Sequence, residues 1–449
     1  MPDDHPHDHP GHDEDDQRAR HGNWWDEEIA HYGPGDGGEG HYHYMRDQLI
    51  VTDQDLERVL ARLEGLGLAV AEQSREARLG VVLLKLDRET VGGDEGRQVP
   101  ALVDELHGAG ETEVVPRVAP NHVLGPCTHV HMAGSAPAPT RWRPVDVPLP
   151  PNLPAPGAGV TVGLLDTGVL ADTPWFRGRV SGDPELEMRD PYGRLLPNCG
   201  HGTFVAGVVL QHAPGVEVIV DGVFSRRTAS VNDYDVAVSL LNLFDKGVDV
   251  VNMSIGAYSR NNRGMLAFER ALDYVTFHRP DMVLVAAAGN DGLDRPCFPA
   301  ADKRVIGVGA VQGAGRSWRR ADFSDYGWWV DACALGVDLD STFLHYHGAV
   351  VPHHDEPAKD RGEFDEATHD PCGAPTIEEA RKPELDFEGA ATWSGTSFAA
   401  PIVAAAVAVE MSAGRSGPEA VRRVIGHPRR PRLHNLGTLV NPKRFVLSR

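Results

Sequence analysis

Cysteine is scarce and unpatterned in this chain. Cys127, Cys199, Cys297, Cys333 and Cys372 are too few and too scattered for a disulfide framework, and an odd number leaves at least one thiol outside any bridge. No CxxC or CxxH pair is present to hold zinc. Long apolar runs are missing as well: nowhere do about 18 apolar residues follow one another, which excludes a membrane-spanning helix. The opening residues Met1-Pro2-Asp3-Asp4-His5 offer neither the basic nor the apolar segment that an export signal needs, so a reducing, cytoplasmic setting is expected. An excess of positive charge is also lacking. Against 43 Lys and Arg stand 65 Asp and Glu, a formal net charge of -22 that repels nucleic acid and anionic membrane and argues against both as partners. Much of the acid is concentrated in 5–16 and 355–388, where such runs read as solvated chain.

At 449 residues, with 41% apolar and 24% charged side chains, the chain fits one large domain plus a smaller one, or two medium ones. Residues 1–46 carry His, Asp, Gly and aromatic side chains without period and read as a disordered tail. His5, His7, His9 and His12 sit on too flexible a polar segment to hold a metal tightly, so no metal site is assigned. From 47 to 131 the pattern becomes regular, with strands at 49–51, 68–70 and 81–86, helices at 53–66 and 99–107, and a strand at 113–118. Leu56, Val59, Leu60 and Leu63 recur at helical spacing behind a candidate cap, Asp53. The order βαββαβ is the split, ferredoxin-like plan of a small α+β domain. Residues 132–156, rich in Pro and Ala, read as an extended linker. In 157–449, apolar strands at 159–165, 216–220, 248–255, 282–288 and 305–310 alternate with helices at 202–212, 233–246 and 265–278. That alternation predicts an α/β fold with a mostly parallel sheet covered on both faces.

One stretch stands out, Trp393-Ser394-Gly395-Thr396-Ser397-Phe398-Ala399-Ala400-Pro401. Ser397 follows a Gly-Thr turn and opens a run at 398–411 so rich in Ala and Val that its helix is apolar on every face and belongs in a core. At a helix N-terminus, unpaired N–H groups and the positive end of the macrodipole favour the negative charge that develops when a hydroxyl attacks a carbonyl. Alone, the stretch reads equally as a capped core helix. Asp166 ends the first strand of the larger domain in Val162-Gly163-Leu164-Leu165-Asp166-Thr167-Gly168, at the carboxyl end where open parallel sheets bind ligands. A turn aspartate fits there too. His201, in Cys199-Gly200-His201-Gly202-Thr203, enters an apolar helix between glycines expected to leave the imidazole uncovered for proton transfer; a plain loop histidine is the other reading. Asn290 ends an apolar strand with an amide able to donate to an oxyanion, or forms a turn before Asp291-Gly292.

Asp166-Thr167-Gly168, His201-Gly202-Thr203, Ala287-Ala288-Gly289-Asn290 and Gly395-Thr396-Ser397-Phe398-Ala399-Ala400-Pro401, in that order, resemble the subtilisin-like serine peptidases. The resemblance covers residue 154 onward and implies a three-layer subtilisin-like α/β domain acting on protein or peptide substrates, with no cofactor and no metal needed for the chemistry. It implies Ser397 as nucleophile, His201 as general base and then acid, and Asp166 as the carboxylate that orients the imidazole. It further implies an oxyanion hole from Asn290 and the Ser397 N–H, a substrate-pairing edge at Ser254-Ile255-Gly256, and a pocket wall at Ala287-Ala288-Gly289. The small N-terminal unit resembles the propeptide of these enzymes, which implies a zymogen that cuts itself between 127 and 156. Two departures stand out. Phe204 occupies a place where the family often has histidine and is expected to pack. An acidic insertion at about 343–388 ends just before the nucleophile and is expected to rim the cleft and favour basic substrates. No calcium-ligand motif is evident. A sedolisin-like peptidase with a Glu base is opposed by His201 in His-Gly-Thr, and a catalytically silent subtilisin-fold binding protein is opposed by the intact Asp/His/Ser set. The pattern leaves the substrate, its preferred residue and the oligomeric state open.

Overall fold

A computed structural model describes residues 28–33, 40–91, 98–108, 115–126, 154–185, 195, 198–224, 230–314, 317–348 and 385–442. In the smaller unit β1 (Tyr42–Thr52), β2 (Val70–Glu76), β3 (Val81–Leu86) and β4 (Val118–Pro126) form an antiparallel sheet in the order β4-β1-β3-β2. The helices are α1 (Leu56–Gly65) and α2 (Val99–His107), which gives the expected split plan. Alternation along each strand divides its side chains between two faces. Leu49, Val51, Val82 and Leu84 pack with Val59, Leu63, Leu102 and Val103 of the helices, whereas Ile50 and Val81 point the other way and join the core of the larger unit. The sheet is therefore sandwiched between its own helices and the rest of the protein.

Three details differ from the sequence-based expectation. The residue capping α1 is Asp55, not Asp53. The last strand begins at Val118 rather than ending there; with two prolines and a glycine it has little strand propensity of its own, and its neighbours impose the conformation. Ile29–Tyr32 pairs antiparallel with the 42–45 end of β1, so regular structure starts before residue 47. The expected linker lies mostly outside the described residues, as do Cys127 and Cys372, while Cys199, Cys297 and Cys333 are buried thiols outside any disulfide.

The larger unit contains β5 (Thr161–Asp166), β6 (Glu217–Gly222), β7 (Val250–Met253), β8 (Val283–Ala287), β9 (Ile306–Gln312) and β10 (Ala332–Leu335), parallel in the order β6-β5-β7-β8-β9-β10. Val180–Gly182 extends the sheet beyond β6 and Gly437–Leu439 beyond β10, both parallel. Helices α3 (His201–His212) and α6 (Thr396–Met411) pack together, as do α4 (Asp233–Asp245) and α5 (Leu266–His278). Every side chain of α6 from Thr396 to Ala408 is buried, as its all-round apolar sequence requires. Burying each of its Val or Ile side chains stabilises the fold by about 1.5–3 kcal/mol. Pro401 lies inside α6 and lacks the N–H that would reach Ser397 O; the Ser254 hydroxyl donates to that carbonyl instead, at 2.8 Å.

The ends of the acidic insertion belong to a two-stranded antiparallel ribbon, Leu339–Gly348 against Leu385–Trp393, so the insertion expected at 343–388 is shorter by the strand residues at both ends. The ribbon is tied to α3: Ser341 Oγ donates to Phe204 O at 2.7 Å and Thr342 Oγ1 to Thr203 O at 2.8 Å. Residues 349–384 lie outside the described residues, and with them the acidic rim expected there. Among the described residues no helix is long and apolar enough to cross a membrane, and no group of three or more His, Cys, Asp or Glu is arranged to hold a metal.

Candidate active site

The apolar run of β5 ends at Asp166, the first polar residue at the strand's carboxyl edge. The chain leaves β5 to make β6 on one side and then returns to make β7 on the other, so a crevice opens at that edge between the two connections. Asp166 is fully buried; its Oδ1 accepts from Thr167 N at 2.8 Å and stands 2.6 Å from His201 Nδ1. With that nitrogen donating to the carboxylate, the imidazole presents Nε2 on its far side.

His201 begins α3, entered through Gly200 at φ 80°. The flanking glycines do not leave the ring uncovered as expected, for His201 is fully buried. Gly202 instead admits backbone: a Cβ there would lie 2.1 Å from Gly168 O and 3.1 Å from Asp166 Oδ1. The imidazole is walled by Trp393, edge-on at 5.7 Å between ring centroids, and by Phe398 at 5.3 Å. Phe204, one turn on, packs at 4.5 Å against Phe398 and at 5.7 Å against Trp393, which is the packing place its sequence context suggested.

Ser397 lies in the first turn of α6, and the neighbouring Phe398 touches the imidazole, so serine and histidine share one wall of the crevice. The Ser397 hydroxyl donates to Ser254 O at 3.2 Å, and His201 Nε2 makes no hydrogen bond with the described residues. Asp166 and His201 are thus joined, whereas the link from His201 to Ser397 is not made. Ser254 holds the serine from behind, its Oγ donating to Ser397 O at 2.8 Å and accepting from Asn252 Nδ2 at 2.9 Å.

Asn290 follows β8, and its Oδ1 accepts from both Thr396 N and Thr396 Oγ1 at 2.8 Å. Two donors on that oxygen fix which end of the amide faces Thr396. Ala287 and Ala288 are fully buried, and Gly289 has φ 109°; a Cβ on Gly289 would lie 2.1 Å from Asp325 Oδ2. Asp325 accepts from Asp291 N at 3.0 Å, Leu293 N at 2.8 Å and Tyr258 Oη at 2.9 Å, which secures the turn after Asn290. Burial, with the Asp291 charge adding to it, pushes the Asp325 carboxyl up to about 8. The strand Ile255–Gly256 is occupied: Gly256 pairs antiparallel with Gly125 and Ile255 with Pro126, so β4 of the smaller unit lies along it.

Two functional-looking carboxylates, Asp325 and Glu185, escaped the sequence reading. Neither stands in a motif, and for Glu185 the signal in the sequence is the pair of threonines, Thr167 and Thr203, that donate to it.

The sequence profile of the subtilase family matches residues 157–431, most of the larger unit. The chain belongs to the subtilase family. This subtilase is 32% identical over 195 residues to a thermophilic serine proteinase of Bacillus sp. strain AK1, covering 41% of this chain and 46% of that protein. It is 33% identical over 199 residues to subtilisin DY of Bacillus licheniformis, covering 42% of this chain and 68% of that one. Fervidolysin of Fervidobacterium pennivorans superposes with a TM-score of 0.56 at 20% identity, over 89% of this chain and 60% of its own, a likeness of fold. The subtilase chain spans about half the length of several curated relatives it matches.

Proposed function

We propose that this subtilase is a serine endopeptidase that cuts peptide bonds through an acyl-enzyme, with Ser397 as nucleophile, His201 as base and then acid, and Asp166 as the group that orients the imidazole. The observation that carries this is the 2.6 Å contact between two fully buried side chains, Asp166 and His201, beside the helix N-terminus that bears Ser397. A buried carboxylate on Nδ1 fixes the tautomer, and it stabilises the imidazolium that forms when Nε2 takes the serine proton. Turning the Ser397 hydroxyl from Ser254 O toward Nε2 needs rotation about one side-chain torsion, and such hydrogen bonds commonly tighten only with substrate bound. The attacked carbonyl oxygen then finds the Ser397 N–H and the Asn290 amide, donors already oriented by α6 and Thr396. Collapse of the tetrahedral intermediate leaves the acyl group on Ser397 and passes the proton from His201 to the leaving amine; water repeats the sequence in reverse.

Substrate would add as a strand to Ser254-Ile255-Gly256 with its next side chain against Ala287-Ala288-Gly289. The same edge supports an inhibitory role for residues 47–131 toward a catalytic unit at 157–449, because β4 already pairs there. The described part of β4 ends at Pro126, next to the interval 127–156 in which self-cleavage is expected. Of that interval, residues 127–153 lie outside the described residues.

Labelling with a fluorophosphonate probe tests the reaction. The wild type should be modified at Ser397 and Ser397→Ala should not; a wild type that stays unlabelled after removal of the N-terminal unit would sink the peptidase assignment. Intact mass and N-terminal sequencing of both proteins test processing, which predicts a new N-terminus between 127 and 156 in the wild type alone.

A further inference from the structure

Glu185 lies outside the Asp/His/Ser set, yet its carboxylate ties together the two segments that carry Asp166 and His201. Oε1 accepts from Thr167 Oγ1 at 2.6 Å; Oε2 accepts from Thr203 N at 3.0 Å and from Thr203 Oγ1 at 2.7 Å. Each threonine oxygen also receives a backbone donor, Gly202 N on Thr167 Oγ1 and Leu170 N on Thr203 Oγ1, both at 2.9 Å. Glu185 is itself anchored by its N–H to Val169 O at 3.1 Å. The residue keeps partial exposure, but its carboxylate faces Thr167 and Thr203, which are both fully buried.

The Thr167 hydroxyl has one hydrogen and two acceptors in view. Glu185 Oε1 is 2.6 Å away, and Asp166 Oδ1, the oxygen that meets His201 Nδ1, is 3.4 Å away. While Glu185 is charged, the nearer oxygen holds the hydrogen. A proton arriving on Oε2 would face two donors on Thr203 and orphan one of them. On Oε1 it donates to Thr167 Oγ1, the Thr167 hydrogen turns to Asp166 Oδ1, and Oε2 keeps both of its Thr203 donors. No other bond changes, and the proton comes from solvent.

We propose that Glu185 is a positioning residue whose ionisation state sets, through the Thr167 hydroxyl, how strongly Asp166 supports the His201 imidazole. The inference rests on the roles assigned above to Asp166 and His201. A third donor on Asp166 Oδ1, beside Thr167 N and His201 Nδ1, draws off charge that would otherwise stabilise the imidazolium, so the neutral form of Glu185 weakens the base. Burial, and after it the Asp166 charge, pushes Glu185 up to about 7 against the hydrogen bonds from Thr167 and Thr203. The titratable groups near it are Asp166 at the end of β5, His201 at the start of α3, joined to Asp166, and Asp183 on its own segment, whose Oδ2 accepts from Gly222 N at 2.9 Å. Among the described residues no lysine or arginine pairs with Glu185.

Glu185→Gln tests the relay, because its amide oxygen can accept from Thr203 while its NH₂ donates to Thr167, which fixes the neutral arrangement at every pH. Expected at pH 8 is a kcat on a peptide substrate about three- to tenfold below wild type with KM unchanged. The acid limb of the kcat profile should also lose one of two ionisations. A readout independent of turnover is the proton resonance of His201 Nδ1–H in the full-length Ser397→Ala protein. It should move in two steps between pH 5 and 9 in the parent and in one step once Glu185→Gln or Thr167→Val is added, the second variant serving if the first does not fold. Equal step counts in parent and variants would overturn the relay whether or not the protein proves to be a peptidase. An inactive wild type with the two-step resonance would sink only the function proposed above.

Discussion

Lowering the pH should loosen the smaller unit from the larger one, and His122 supplies the magnitude. It lies on β4, buried, with Nε2 accepting from Arg260 N at 3.1 Å, so the docked ring is neutral on that nitrogen. Burial, and then the Arg260 charge, pushes His122 down to about 3. Once released into water the ring would return to about 6.5. Between those values the released state binds a proton that the docked state refuses, so docking weakens as pH falls through 6.5, by about 1.4 kcal/mol per pH unit. At pH 5 this is about 2 kcal/mol, or about 30-fold in the docking equilibrium. Above 6.5 the contribution is constant. Glu76, held below the usual carboxylate range by Arg78, titrates below that window. The Arg78 to Asp245 pair across the interface, at 3.0 and 2.8 Å but exposed, adds about 0–1 kcal/mol. Amide exchange of residues 118–126 in Ser397→Ala protein, corrected for intrinsic rates, reads the effect directly. Protection should fall about 30-fold from pH 7 to pH 5, and His122→Gln, which keeps an acceptor but cannot take the proton, should remove the slope. Unchanged protection in the parent, or the same slope in the variant, would refute the reasoning.

Three other outcomes follow from the same geometry. Gly202→Ala places a methyl 2.1 Å from Gly168 O and should part Asp166 from His201, lowering kcat by about 100-fold while circular dichroism stays native. Asn290→Ala should lower kcat by about 10²–10³, the cost established for a side-chain oxyanion donor in subtilisin, with little change in KM. Asp233, buried and accepting from Ala267 N at 3.1 Å and Phe268 N at 2.8 Å, is pushed up to about 7 by burial. The folded chain therefore keeps a proton that the unfolded chain has lost above about 4, so its contribution to stability falls by about 1.4 kcal/mol per pH unit up to 7. Urea titrations at pH 5 and 8 should show a smaller difference for Asp233→Asn than for wild type.

The legible parts of this protein were those in which neighbouring residues set the structure. The Ala-rich helix behind Ser397, the apolar strand before Asp166 and the alternating strands of the parallel sheet each carry their period in the chain. The strand Val118–Pro126 carried none, because Pro120, Asn121 and Gly125 have no strand preference and the conformation comes from β1 and Ile255–Gly256. The ribbon flanking the acidic insertion was hidden for a similar reason: its halves lie far apart in sequence and each is stabilised only by the other.

For the site the division is sharper. Motif order marked Asp166, His201, Asn290 and Ser397, because each stands among glycines and turn residues that are legible in the chain. Whether the imidazole was open or buried, which way the Asn290 amide faced, and what lay along Ile255–Gly256 were decided by contacts between distant segments. Glu185 is the clearest case. It has no period and no motif, and it gains a place beside Asp166 and His201 only because the 183–185 segment folds back on the β5 turn, bringing one carboxylate within hydrogen-bond reach of two threonines. Local sequence encodes the conformation of a segment; the environment of a charge is set by whatever the rest of the chain lays against it.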